Sequence, residues 1–77
     1  MSTDKLSNIS LSNFRKFLEN AGCMHIRTEG GHEIWSKKGL KRAIIVQTHK
    51  KIVAEFIVKN TIRNLEINRD DFFKMLK

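Results

Sequence analysis

Seventy-seven residues allow one small domain, with a core marginal enough that binding a partner would add substantially to stability. Fifteen Lys and Arg against eight Asp and Glu give a formal charge of +7, which favours a polyanionic partner. A single cysteine excludes an internal disulfide, no apolar run is long enough for a bilayer, and no secretory pattern stands near Met1, so the expectation is a cytoplasmic chain with residues 1–77 as one unit.

Leu11, Phe14, Leu18 and Ala21 recur at three- and four-residue spacing and predict a helix from about Ser12 to Ala21, capped by Ser10 or Ser12 and stopped by Gly22. An extended segment from Cys23 to Glu29, the pair Gly30-Gly31, and a second extended segment from His32 to Lys37 read as a hairpin. Gly39 marks another turn. Ala43 to Gln47 is the most β-branched and apolar run and reads as a central or well-covered third strand. From Ile52 to Val58 the apolar residues fit either a strand extension or a buried helical turn. Asn60 or Thr61 is placed to cap a short helix with Ile62 and Leu65 on one face, and Asn68 to cap another over Arg69 to Leu76, docked by Phe72, Phe73 and Leu76. A helix, three antiparallel strands and further helices predict an α+β sandwich with the helices on one face of the sheet and the other face open.

A two-residue turn at Gly30-Gly31 pairs Glu29 with His32, Arg27 with Ile34 and His25 with Ser36. That register puts Met24, Ile26 and Trp35 on the core side and His25, Arg27, His32 and Ser36 on the open side, provided no bulge interrupts it. Ile34 is then out of place among polar neighbours.

His32 is the leading candidate for chemistry. The glycines at 30 and 31 take positive φ without steric cost and leave room for a phosphate to approach the backbone, and histidine exchanges protons near neutrality. Chemistry alone leaves His32 equally readable as a solvated turn residue. Between Ile34 and Ala54 no acidic residue occurs, while Lys37, Lys38, Lys41, Arg42, Lys50 and Lys51 do, a local basic stripe suited to phosphates. Arg27 is placed to stabilise phosphate charge beside His32, and His49, which heads the Lys50-Lys51 pair, reads as a phosphate contact or second proton carrier. His25 reads as a partly buried, hydrogen-bonded side chain and Trp35 as core. The spacing of Cys23, His25, His32 and His49 matches no usual zinc pattern, so neither a metal nor another cofactor is expected.

The chain resembles the small HicA-type toxins of bacterial toxin-antitoxin pairs over most of its length. The resemblance rests on the first amphipathic helix ending in Ala21-Gly22, on Arg27 three residues before the Gly-x-His turn at Gly30 to His32, and on the Glu33-Ile34-Trp35 continuation. Val46 and His49 are similar to the end of that family's third strand, Thr61-Ile62-Arg63-Asn64-Leu65 to the start of its last core helix, and Asp70 to Leu76 to its final segment. The resemblance implies a fold like that of double-stranded-RNA-binding domains, α-β-β-β-α with a three-stranded antiparallel sheet, helices on one face and an extra short C-terminal helix. It also implies a type II toxin that arrests translation by cleaving mRNA, has the turn histidine, here His32, as its active-site residue, and is neutralised by a HicB-type antitoxin. For such an endoribonuclease the RNA 2′-hydroxyl is the nucleophile, so neither a protein nucleophile nor a metal is needed. Two rival readings stand beside it: a non-catalytic RNA-binding module, and a basic interaction protein that docks an acidic partner.

Overall fold

The computed structural model describes residues 6–76. Within them run β1 (Ile9–Ser10), α1 (Leu11–Asn20), β2 (Met24–Glu29), β3 (His32–Ser36), β4 (Ile44–Gln47), β5 (Ile52–Val53), α2 (Glu55–Leu65) and α3 (Arg69–Met75). The architecture is α+β. An antiparallel sheet ordered β2-β3-β4 carries the hairpin, and a second, two-stranded antiparallel sheet joins β1 to β5.

Local chemistry explains both ends of α1. The Ser10 hydroxyl accepts from the Asn13 N–H at 3.1 Å, meeting one of the donors a helix start leaves unpaired. At the other end Gly22 takes φ +89°, and the amides of Gly22 and Cys23 return to the carbonyls of Glu19 and Leu18. These are the two bonds of a Schellman stop. α3 begins at Asn68, whose side chain accepts from the Asp71 N–H at 2.8 Å.

The second helix departs from expectation. Asn60 and Thr61 do not cap it: α2 begins at Glu55, with Ala54, six residues before Asn60, as its N-cap and no side-chain cap bond. Thr61 lies mid-helix and donates its hydroxyl back to the Ile57 carbonyl at 2.7 Å. Val58, Thr61 and Ile62 share the buried stripe, so packing rather than a capping side chain sets the start. The segment Thr61 to Leu65 is therefore the second half of that helix, and Ile52 and Val53 form β5. At the C-terminal end Glu66 adopts φ +57°, and the amides of Glu66 and Ile67 bond the carbonyls of Arg63 and Ile62.

The hairpin register holds near its turn and breaks further down. Glu29 pairs with His32 and Arg27 with Ile34, but a bulge between His25 and Arg27 makes His25 the partner of Trp35 and Met24 that of Ser36. The extra residue reverses the faces upstream of it. His25 lies on the Trp35 side, exposed rather than half-buried, with its ring 5.6 Å from the indole and Nε2 hydrogen-bonded to Thr28 Oγ1 at 2.8 Å. Met24 and Ile26 are exposed instead of core. β3, not β4, is the central strand, and on β4 only Ile44 and Val46 are buried.

One face of the sheet carries Trp35, Ile44 and Val46 into a core built with Phe14, Phe17, Leu18, Val58 and Phe72. Phe72 stacks edge-on against Phe17, their centroids 4.6 Å apart, while Phe73 stays half-buried beside it. Glu33 lies on that same buried face. Its carboxylate accepts from Arg15 Nε at 3.1 Å, from Arg15 Nη2, and from the Trp35 Nε1–H at 2.9 Å. Burial raises the Glu33 pKa, but these hydrogen bonds, the Arg15 charge and the more distant His25 charge outweigh it and hold the carboxyl below its usual 4.5.

A group whose pKa is depressed by folding stabilises the native state above its unfolded pKa and stops doing so as pH falls through the folded value. Stability should therefore drop as pH falls below 4.5, and Glu33→Gln should flatten that part of the profile. At neutral pH Glu33→Gln should cost about 1–2 kcal/mol by urea unfolding, a value kept low because the Arg15 side chain is 41 % exposed and its charge screened. Glu66→Gly, at the left-handed cap, should raise stability by about 0.5–1 kcal/mol in the same assay.

Candidate nucleic-acid interface

Gly30 and Gly31 both take positive φ, +51° and +84°, as a type I′ hairpin turn demands. The Gly31 carbonyl accepts twice from Thr48, from its N–H at 2.8 Å and its hydroxyl at 2.9 Å, which ties the turn to the residue after β4. The next residue, His32, is exposed. Strand alternation sets its direction: Glu33 is buried on the helix side, so His32 stands on the open side, flanked by Glu29 on β2 and Gln47 on β4. The next row on that face is Arg27, Ile34 and Ile45, which gives Ile34 an apolar neighbour.

Arg27 shares the face with His32, but its Nε is ion-paired with the Glu29 carboxylate. A phosphate arriving at Arg27 has to compete with that carboxylate.

The basic residues do not make one stripe. β4 runs antiparallel to β3, so Lys37, Lys38, Lys41 and Arg42 gather at the end of the sheet away from the glycine turn, while His49, Lys50 and Lys51 follow Gln47 at the turn end. Five residues of extended chain separate His32 from Lys37, about 17 Å. Lys37 leans toward the end of α1, where its Cε would be 3.5 Å from a Cβ at Gly22. The Lys37 charge also opposes the burial that pushes the Cys23 thiol pKa up. His49, Lys50 and Lys51 are exposed and follow Thr48, the residue bonded to the Gly31 carbonyl, and the Lys51 carbonyl accepts from the Leu11 N–H at the start of α1.

The sequence reading missed a groove between β4 and α2. It encloses about 440 Å³ and is lined by Arg42, Ile45, Phe56, Asn60, Arg63 and Asn64, among others. Phe56, Asn60 and Arg63 recur at four- and three-residue spacing, a stripe legible only once the helix is known to start at Glu55. Among the described residues no group of three or more His, Cys, Asp or Glu side chains is placed to hold a metal, and no helix is long and apolar enough to cross a membrane.

No family model, curated protein or solved structure matches this chain.

Gly31→Ala should cost about 1–2 kcal/mol in thermal or urea unfolding, because φ +84° is strained for an L side chain although the nearest atom to a new Cβ, Thr48 Oγ1, is 3.9 Å away.

Proposed function

We propose that the protein is an endoribonuclease toxin of the HicA type, with a fold like that of double-stranded-RNA-binding domains and His32 as its proton-transfer residue. The observation that carries this reading is the position of His32: exposed on the uncovered face of the sheet, next to a double-glycine turn, with His49, Lys50 and Lys51 following at the same end. The helices take up the opposite face, so a substrate has the His32 face to itself.

In the proposed reaction the RNA 2′-hydroxyl attacks the adjacent phosphorus and the bond to the 5′-oxygen breaks. His32 removes the 2′-proton or delivers one to the leaving oxygen, and His49 or water serves at the other position. The products are a 2′,3′-cyclic phosphate and a 5′-hydroxyl. Such proton transfer contributes roughly 10²–10⁴-fold to rate. The lysines at 50 and 51 offer charge to the phosphate. The reading entails a cytoplasmic protein acting on mRNA and a HicB-type antitoxin that masks the open face, where acidic groups would compete with RNA for the cations.

The Arg27–Glu29 ion pair favours the second reading, a non-catalytic RNA-binding module, since it occupies the guanidinium best placed beside His32. One experiment separates the two. Incubated in EDTA with a labelled single-stranded RNA, the wild-type chain should yield fragments ending in cyclic phosphate, while His32→Ala should lose turnover by about 10²-fold or more and keep most of its RNA affinity. Binding without cleavage by both chains selects the binding module.

A further inference from the structure

The two edges of the three-stranded sheet are built differently. On β2 a bulge at Ile26 interrupts the ladder, and Arg27 and Glu29 charge the strand. Both devices discourage a foreign strand from adding on. β4 has neither: Ile44–Gln47 pairs with β3 without a register shift and contains no proline and no charged residue.

Its outward backbone can be identified. The Thr48 N–H donates to the Gly31 carbonyl, so Thr48 points its main chain toward β3, and antiparallel alternation turns Val46 and Ile44 the same way and Gln47 and Ile45 outward. Among the described residues no main-chain hydrogen bond outside the ladder reaches Ile45 or Gln47. Instead of sealing this edge, α2 leaves the groove beside it. Two exposed apolar side chains flank the groove, Ile45 at 54 % and Phe56 at 63 %, and Arg42 and Arg63 add positive charge to its lining.

We infer that the β4 edge and its groove are a docking site for an extended acidic segment of a partner protein, which joins the sheet as a strand beside β4. Main-chain pairing with Ile45 and Gln47 supplies affinity, and alternate side chains of the segment face Phe56 in the groove or Ile45 on the open side. Charge selects the occupant. A second copy of this +7 chain would bring Arg42 and Arg63 against their own kind, whereas acidic residues in the segment complement them. The added strand lies two ladder spacings, about 10 Å, from the strand that carries His32, close enough to crowd the open face. The inference does not depend on what His32 does.

The test is a titration of the ¹⁵N-labelled full chain with a blocked peptide alternating valine and glutamate, followed by NMR. Shifts should concentrate in Ile44–Gln47 and along Phe56, Asn60 and Arg63, and hydrogen exchange at the Ile45 and Gln47 amides should slow about tenfold or more. The same peptide N-methylated at alternate amides should bind at least about tenfold more weakly, and Ile45→Pro, which removes an outward donor without breaking a β3 bond, should act alike. Should Ile45→Pro fail to fold, Arg63→Glu on the exposed helix surface should still weaken binding about fivefold or more. No binding, shifts confined to other surfaces, or equal binding by the methylated peptide overturns the inference. So does a groove that ignores the peptide and responds only to fluorescein-labelled oligouridylate, which would make it an RNA surface.

Discussion

The carboxylate of Glu33 faces the helices from the central strand, and its burial is tolerable because Arg15 and the Trp35 indole donate to it from two sides. Those bonds do more than satisfy one acid. They bind α1 to β3, orient the indole within the core and penalise any slip in the strand. A shift of one residue would turn Glu33 and Trp35 together to the open face, remove both from Arg15 and the core, and turn His32 inward against the helices. The exposure of His32 thus follows from the burial of its neighbour. A core made only of Phe14, Leu18 and Val46 would hold the layers together but would specify this register less sharply.

Around that constraint the two faces of the sheet divide their roles. The inner face carries Trp35, Ile44 and Val46 around the Glu33 cluster, with His25 and Thr28 at its β2 margin, and Phe17 of α1 packs edge-on against Phe72 of α3 in the core it covers. The outer face mixes His32, the Arg27–Glu29 pair and the apolar contact of Ile34 with Ile45. Positive charge gathers toward the two ends of the sheet, with Lys37 leaning to the helix side and Arg42 in the groove, rather than along this face. A ligand that reads the surface by charge alone is drawn to two places, and only one of them includes the histidine. The β2 edge is bulged and charged, while the β4 edge opens onto a groove, so approach by another chain is directional.

Much of this was legible along the chain. Capping at Ser10 and Asn68 and the stop at Gly22 are local events within a few residues, and the side-chain types that perform them are diagnostic. The glycine pair likewise announced a tight turn, and with it the pairings nearest that turn, Glu29 with His32 and Arg27 with Ile34. Legibility ended where a non-local partner decided. Nothing in Met24-His25-Ile26 reveals a bulge, because the bulge serves to place His25 and Trp35 on one face. The start of α2 was hidden for the same reason: Ala54 offers no capping side chain, and Glu55 to Asn60 are held by packing of Val58 and Ile62. Pairing of β1 with β5 joins two dipeptides far apart in the chain, each too short to show a period.

The candidate site divides along the same line. Sequence by itself determined that a histidine would follow a positive-φ turn at the head of a strand, and that exposed cations would follow the third strand, since glycine conformation and the solvation of lysine need no partner to express themselves. Tertiary structure alone decided that Glu33 is buried, that Arg27 is held by Glu29, that the lysines part into two groups, and that β4 is an edge beside a groove. Each of these depends on which strand lies next to which and on the parity of its register, and parity is settled by long-range packing rather than by neighbours in the chain.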